Sequence, residues 1–151
     1  MTIFDKNIYP YITPINHGYE TCEHCRAELW VHSNDFTLEE LIALISEENW
    51  PKHQVFNKKR SVSPFKGVYS ITSDDHVKSS DLRAHLDWLC DLLEQSKGLK
   101  SVQENINSRA QISCFWWSKY GDGAPTLWPK QLKRLANLDM EFSISYSHYD
   151  D

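Results

Sequence analysis

The sequence predicts an α+β fold, which follows from the periodicity of its apolar residues and the order of its elements. Segments in which apolar and polar residues alternate, as in strands, are separated by segments whose apolar residues recur every three or four positions, as in helices. The order is strand, helix, short strand, strand, helix, strand, short helix, strand, which favours a sheet with helices on one face. The first six elements match a ferredoxin-like βαββαβ arrangement, and the C-terminal helix and strand extend it.

The length of 151 residues is typical of one domain with a core of its own. Residues 1–19 carry Pro10, Pro14 and several tyrosines without periodicity, and they are predicted to form an extended arm that packs on the body. Residues 20–151 are predicted to form a single α+β domain. Hydrophobic residues make up 40% of the chain and charged residues 25%, as is ordinary for a soluble globular protein.

The first strand and the first helix have local signals. Alternation from Cys25 onward predicts a strand that ends near His32. The helix start is predicted at Ser33-Asn34-Asp35 or at Thr37, because short polar side chains accept hydrogen bonds from free helical N–H groups. With Thr37 as the cap, Glu40 completes a capping box. The apolar stripe of this helix consists of Leu38, Leu41, Ile42 and Ile45.

The middle of the chain predicts an irregular edge strand, a regular strand and the longest helix. The edge strand covers about 54–57, and the regular strand covers Phe65–Ser73, which is rich in β-branched and aromatic residues. Ser79 or Ser80 is the predicted cap of the helix. Gly98 ends the helical pattern. The apolar stripe consists of Leu82, Leu86, Leu89, Leu92 and Leu93.

The last third, from Gln111 to Tyr149, predicts a strand, a turn, a short helix and a strand. The turn at 120–125 contains two glycines and a proline. Pro129 opens the helix, a position at which its missing N–H costs nothing. A further helical piece is predicted at 101–107. The two strands alternate at Ile112, Cys114 and Trp116 and at Phe142, Ile144 and Tyr146, and the last strand is predicted to be half-buried.

The charge, the lack of long apolar runs and the N-terminal segment argue against several classes of function. A net charge of −5 argues against nucleic-acid binding, which requires a basic surface. No run of about 18 apolar residues predicts a membrane span, and the N-terminus lacks the basic and apolar regions of a secretory signal. A cytoplasmic location with reduced thiols is therefore expected. Cys90 and Cys114, within a helical and a strand pattern, are predicted to be small buried hydrophobes.

The segment Cys22-Glu23-His24-Cys25 is the nearest approach to a metal or redox motif. Two cysteines and a histidine are zinc ligands, but a structural zinc site usually draws on a second pair of ligands, which the sequence lacks. In a regular strand the two cysteines point to opposite faces. A thioredoxin-like motif opens a helix, whereas this one precedes a strand. No metal site is predicted, and Cys22, His24 and Cys25 are the only candidate ligands retained.

No catalytic residue and no cofactor are predicted. Asp74-Asp75-His76 precedes the longest helix, where adjacent acids favour the positive helix end. The alternative, a hydrolase or metal site in this loop, has no second group of ligands. Ser147, His148 and Asp150 are too close in sequence to form a triad, whose members meet across a fold.

The candidate partner-binding residues are two tryptophans and four glutamates. Because neighbouring strand residues point to opposite faces, a buried Trp116 places Trp117 outward or under the final helix beside Trp128. An exposed tryptophan is a candidate interface anchor. The glutamates lie on or just after the first helix, away from its apolar stripe: Glu39, Glu40, Glu47 and Glu48.

The order and texture of the elements resemble a bacterial domain-of-unknown-function family, number 4279. The resemblance covers roughly 20–149. In the first half of the chain it rests on the first strand, the short helix after it and the segment 66–71. In the second half it rests on the amphipathic helix 81–93, the strand at 112–114 with its glycine-containing turn, and the helix 132–138 before 140–144. The resemblance implies no catalytic residues. Small acidic members of such families look like immunity proteins, which neutralise a toxin.

Three alternative functions, each from a different class, follow from these observations. The first is a bacterial immunity protein, a monomer or weak homodimer that binds and occludes a toxin domain, which its acidity suits if that domain is basic. The second is a metal-dependent enzyme of unknown substrate that uses the Cys22–Cys25 segment or the Asp74–His76 loop. The third is a structural or regulatory subunit that pairs with a partner through a sheet edge.

Overall fold

The computed structural model describes residues 13–51 and 64–148, which form four strands and four helices. This confirms a mixed α+β fold. The predicted strand at 54–57 and residues 1–12 of the predicted arm lie outside the described residues. The elements are β1 (Cys22–Ser33), α1 (Leu38–Ile45), β2 (Gly67–Thr72), α2 (Leu82–Leu93), α3 (Leu99–Glu104), β3 (Ser108–Ser118), α4 (Pro129–Asn137) and β4 (Glu141–His148).

The four described strands form one sheet in the order β2-β1-β3-β4. Both β2 and β3 pair with β1 in antiparallel orientation, whereas β4 pairs with β3 in parallel orientation. The unit β2-α2-α3-β3 is thus a pair of parallel strands with β1 inserted between them, as in a split βαβ unit. This order does not by itself give the ferredoxin-like arrangement, because the strand predicted at 54–57 is not among the described ones.

One face of the sheet carries the core. Helices α1, α2 and α3 pack against β2, β1 and β3, and α4 packs against α2. The alternation of β1 sends every second side chain into this core, where burial of apolar surface stabilises the fold. The strand residues in the core are Cys22, Cys25, Ala27, Leu29, Val31, Tyr69, Ile71, Ile112, Cys114 and Trp116. The burial predicted for Cys90 and Cys114 is confirmed.

Helices α1 and α2 begin in different ways. At α1 the predicted capping box is confirmed, because the Thr37 hydroxyl accepts from Glu40 N at 3.2 Å and Thr37 N donates to the Glu40 carboxylate at 3.3 Å. At α2 the predicted serine cap is wrong, because the carboxylate of Asp81 accepts from Arg83 N at 3.1 Å. Ser79 instead accepts from Asp81 N through its hydroxyl, also at 3.1 Å.

Arg83 joins the segment before β1 to the body. Its guanidinium is fully buried and forms a two-point ion pair with Asp81, at 2.9 and 2.6 Å. It also donates to the carbonyls of Thr13 and Pro14, at 2.5 and 3.0 Å. Burial alone would raise the pKa of the Asp81 carboxyl, but hydrogen bonds from Arg83 and from Asn16 N outweigh that and hold it below its ordinary value. The predicted arm over 1–19 stays a prediction.

The last strand is more exposed than the alternation at Phe142, Ile144 and Tyr146 predicts. Strand β4 lies at an edge of the described sheet, and Ile144 and Tyr146 are 38% and 43% exposed. Phe142 packs on the core, and the ring of Tyr146 stacks on buried Trp116 at 5.7 Å between centroids. The alternation predicted the strand correctly but did not predict how much of it is exposed.

Candidate functional site

The face of the sheet opposite the core helices carries a group of aromatic and charged side chains from β1 and β3. We call this group the aromatic face. In the antiparallel register Arg26 lies opposite Phe115 and His24 lies opposite Trp117. None of the described helices packs over these positions. The members are His24, Arg26, Glu28, Trp30, Phe115 and Trp117.

Arg26 is the centre of the aromatic face. Its guanidinium carbon lies 4.2 Å from the centroid of the Phe115 ring and 5.0 Å from that of Trp117. The two rings are themselves stacked, with centroids 5.9 Å apart. A cation over the faces of aromatic rings is attracted by their quadrupoles. This geometry holds the positive charge in a defined place on the sheet.

Glu28 fixes the orientation of Arg26 and of a third aromatic ring. One carboxylate oxygen accepts from Arg26 Nε at 2.6 Å, and the other accepts from Trp30 Nε1 at 2.7 Å. Glu28 is only 4% exposed, so its carboxylate is largely removed from water and depends on these donors. The alternating positions 26, 28 and 30 therefore act as one hydrogen-bonded unit.

The two tryptophans named from the sequence lie in different parts of the molecule. Trp116 is buried and Trp117 is half-buried on the aromatic face, where its ring lies 5.2 Å from that of His24. Of the two placements expected for Trp117, the structure shows the outward one. Trp128 instead donates its indole N–H to the carbonyl of Thr13 at 2.8 Å, and its ring lies 4.8 Å from the guanidinium carbon of Arg83. Trp128 therefore contacts residues of its own chain and is not presented to a partner.

The four named glutamates divide into two pairs. Glu40 completes the capping box of α1, and Glu47 accepts from Lys97 N at 3.0 Å, so both carboxylates have partners within the chain. Glu39 and Glu48 are exposed. These two are the glutamates of the set that are placed to meet an external partner.

The three candidate metal ligands are not brought together. Cys22 and Cys25 are buried on the core face, whereas His24 lies on the aromatic face. The expectation that the cysteines point to opposite faces is wrong, because the pairing with β3 shifts between Cys22 and His24. An extra residue in one strand changes the alternation by one step. No group of three or more His, Cys, Asp or Glu side chains in 13–51 and 64–148 is arranged to hold a metal ion.

The Asp74-Asp75-His76 loop splits between two contacts. The carboxylate of Asp74 lies 3.4 Å from His24 Nε2, and the His76 ring stacks on Trp88 at 5.3 Å between centroids. The α2 cap is Asp81, so neither Asp74 nor Asp75 caps this helix. They line the mouth of a cavity of about 370 Å³ that reaches the imidazole of His85.

His85 forms a buried hydrogen-bonded chain with Ser73 and the carbonyl of Ser79. Its Nε2 lies 2.7 Å from the carbonyl of Ser79, which can only accept, so the neutral ring presents Nδ1 as an acceptor to the Ser73 hydroxyl at 2.7 Å. Burial lowers the pKa of His85 below its ordinary value. A serine donating to a histidine resembles an activated nucleophile, but Ser73 is 0% exposed and no substrate reaches it.

Comparison with known proteins places the chain in a family without an assigned activity. The model of a family described as Domain of unknown function (DUF4279) matches residues 23–149, which is most of the chain. The chain belongs to the DUF4279 family. No curated protein and no solved structure matches it.

The DUF4279 match includes every described strand and helix except the first residue of β1. It therefore contains the aromatic face, α1 with its exposed carboxylates, and the buried Ser73–His85 chain. Among the described residues, no helix is long and apolar enough to cross a bilayer. Four members of the aromatic face were not expected at an interface: Arg26, Glu28, Trp30 and Phe115. The signal for them is that they occupy alternate positions of two strands that pair.

Proposed function

We propose that this DUF4279 protein is a bacterial, cytoplasmic immunity protein that binds and neutralises a cognate toxin domain by occluding it. The observation that carries the proposal is the aromatic face, which presents two stacked rings and a fixed guanidinium on the side of the sheet away from the core helices. Tryptophan, tyrosine and arginine dominate the energetics of protein interfaces. The residues proposed to contact the toxin first are Trp117 and Arg26.

Preorganisation of these side chains supports a binding role. A free arginine loses rotamer entropy when a partner immobilises it, and this loss subtracts from affinity. In this chain Glu28 and the rings of Phe115 and Trp117 already hold Arg26 before a partner arrives. The entropy loss on binding is correspondingly smaller.

The net charge of −5 and the exposed carboxylates of Glu39 and Glu48 support a basic partner. Opposite charges raise the rate of encounter more than they raise affinity.

The experiment is co-purification of the tagged chain with the product of the adjacent upstream gene, followed by titration calorimetry. We expect capture, a micromolar or tighter Kd, and loss of the toxin's activity in the complex. Trp117→Ala should weaken binding at least about tenfold, as expected for an interface anchor. Leu132→Ala, which removes a side chain 50% exposed on α4, is the matched control and should leave Kd unchanged.

A charge reversal tests the steering role separately. Glu39→Lys with Glu48→Lys should lower the association rate and its dependence on salt, whereas Asp122→Lys in the turn after β3 should have little effect. If the neighbouring product is not a toxin and nothing is captured at micromolar concentration, the proposal is wrong. Equal loss of binding in the Trp117→Ala and Leu132→Ala variants would place the interface elsewhere.

A second candidate function, a subunit that pairs through a sheet edge, is favoured by β4. Its outer edge has no strand partner among the described residues, and between Glu141 and His148 it carries no charged side chain. Such an edge is a template for another strand. In a two-fold antiparallel pair that places Ile144 opposite itself, Phe142 faces Tyr146 of the partner subunit, so apolar side chains meet on one face.

Sedimentation of the purified chain tests this second candidate. A homodimer paired in that way should be lost in Ile144→Lys and trapped as a disulfide in Ile144→Cys. The Ser147→Cys control, opposite Glu141 of the partner subunit, should not be trapped. A monomer at every concentration would contradict edge pairing while leaving toxin binding intact.

We further infer that the fold has the ferredoxin-like arrangement, with one more strand at the free edge of β2. In support, β1 has antiparallel neighbours on both sides, and β2-α2-α3-β3 is already one split unit. A second split unit that begins with β1 and α1 requires its parallel strand at the free edge of β2. Hydrogen exchange should then show one more protected strand than the four described, and protection limited to those four would contradict the arrangement.

A further inference from the structure

Cys22 and Cys25 are brought side by side by an irregularity in β1. Cys22 pairs with Ser118 and His24 with Trp117, so Glu23 has no opposite residue on β3. The extra residue lets two cysteines three positions apart share the core face, where they are 5% and 1% exposed. Each of the two thiols shifts the pKa of the other, so the two side chains lie within interaction distance. Both thiols are free.

Each thiol lines a different surface cavity although both side chains are nearly buried. Cys22 lines a cavity of about 610 Å³ together with Glu20, Lys119 and Tyr120. Cys25 lines the cavity of about 370 Å³ that also contains His85. A small reagent in the first cavity therefore meets Cys22 beside one cation, Lys119, and two carboxylates, Glu20 and Glu23.

The two thiols differ in their protonation. The interaction with Cys25 and a hydrogen bond from His24 N lower the pKa of the Cys22 thiol despite its burial. The interaction with Cys22 and burial raise the pKa of Cys25, whose S–H donates to the carbonyl of Ser79 with its sulfur 3.6 Å from that oxygen. Burial raises the pKa of Cys90 to about 11 and also raises that of Cys114. Cys22 is the one thiol of the four with a lowered pKa.

We propose that Cys22 and Cys25 form a redox-active dithiol that a low-molecular-weight disulfide oxidises reversibly to an intramolecular disulfide, with Cys22 as the attacking thiol. The inference is independent of the proposed toxin binding, because it concerns the other face of β1. It also assigns chemistry to a motif that reads, from the sequence alone, as neither a zinc nor a thioredoxin site.

The reaction is two thiol–disulfide exchanges. The Cys22 thiolate attacks one sulfur of the small disulfide, so that a mixed disulfide forms and one small thiolate leaves. Cys25 then loses its proton, and its thiolate attacks the sulfur of Cys22, so that the second small thiolate leaves. The two protein thiols lose two electrons and two protons, and the small disulfide is reduced to two thiols. Excess dithiothreitol reverses both steps.

The first test alkylates the native, unmodified chain with iodoacetamide and locates the adduct by tandem mass spectrometry. We expect Cys22 to react at least about tenfold faster than Cys90 or Cys114, because the thiolate fraction changes tenfold for each unit of pKa. In urea all four thiols should react at similar rates. Faster reaction of Cys25, Cys90 or Cys114 than of Cys22 in the native chain would overturn the assignment.

The second test equilibrates the folded chain with mixtures of oxidised and reduced glutathione. The wild type should lose two hydrogen atoms from the peptide that contains Cys22 and Cys25, and Cys25→Ser should accumulate a glutathione adduct on Cys22. Cys22→Ser should form neither product, and Cys90→Ser is the control that keeps the disulfide. If the folded wild type retains four free thiols at every ratio, the proposal is wrong, whatever the variants do.

Discussion

The two faces of strand β1 use neighbouring residues for opposite purposes. On the core face Ala27 and Leu29 are 0% exposed and contact the helices. On the other face Arg26 and Glu28 hold each other and organise aromatic rings. The difference shows that alternate positions of one strand have separate roles. The inward positions stabilise the fold, and the outward positions determine which side chains the sheet presents on its other face.

The largest effect on stability is expected from a substitution on the core face. Leu29→Ala should lower the free energy of unfolding by about 2–5 kcal/mol, because it removes a fully buried side chain and leaves a cavity. Urea denaturation monitored by tryptophan fluorescence measures this. The control is Ser113→Ala on the opposite face, for which a change within about 0.5 kcal/mol is expected. Equal losses would end the distinction between the faces.

A smaller loss of stability is expected when the one buried carboxylate of the aromatic face, Glu28, is removed. Glu28→Ala removes the acceptor for Arg26 Nε and Trp30 Nε1, and it should cost about 1–3 kcal/mol. Glu28→Gln retains an acceptor oxygen and should recover part of that. The same denaturation assay applies. A Glu28→Ala loss as large as that of Leu29→Ala would mean that this face stabilises the fold as much as the core does.

The pH dependence of stability compares a histidine from each side. Burial lowers the pKa of both His85, on the buried side of α2, and His32, on the outer face of the sheet, from the ordinary 6.5, with Arg109 adding to the shift of His32. The unfolded chain therefore binds more protons below pH 6.5. The free energy of unfolding should be highest above that pH and should fall as the pH drops from 6.5 to the lower folded pKa values.

Each histidine can contribute a slope of at most about 1.4 kcal/mol per pH unit. His85→Gln keeps a donor for Ser79 and an acceptor for Ser73, so it should flatten the slope without a loss at pH 8. For His85, His24 lowers the pKa further, while Asp74 and Asp81 oppose the shift. His32→Gln is the comparison from the outer face. Denaturation at pH 5 and 8 gives both slopes, and an unchanged slope in both variants would contradict the assignment.

The smallest effect is expected from the ring under Arg26. Phe115→Leu removes an aromatic face 4.2 Å from the guanidinium and should cost about 0.5–1 kcal/mol. Thermal unfolding resolves such a difference when the wild type is measured alongside it. Trp117→Phe keeps a ring at the neighbouring position and should cost less. A larger loss from Trp117→Phe would make Trp117 the main support of Arg26.

The sequence predicted what depends on local pattern. The capping box at Thr37 and the apolar stripe of α2 are fixed by residues three or four positions apart, and both appear in the structure. The order of the last strand, helix and strand was predicted for the same reason. The burial of the last strand was not, because exposure at Ile144 depends on how far distant helices extend.

The candidate site was less predictable than the fold. Outward placement of Trp117 follows from alternation, and it was one of two expected outcomes. The chain from Ser73 to His85 to the carbonyl of Ser79 could not be predicted, because it depends on how α2 lies against the end of β2. The bulge at Glu23 depends on the register between two strands about 90 residues apart, which no local pattern encodes.

The buried guanidinium of Arg83 has a mechanical consequence. It donates hydrogen bonds to the carbonyls of Thr13 and Pro14, and the indole of Trp128 also donates to the carbonyl of Thr13. These three hydrogen bonds form a clamp on the segment before β1. A pulling force on the chain ahead of Thr13 therefore loads this clamp before it reaches the first ladder hydrogen bonds of β1. Tethering the molecule through its N-terminus would leave the sheet unloaded until the clamp gives way.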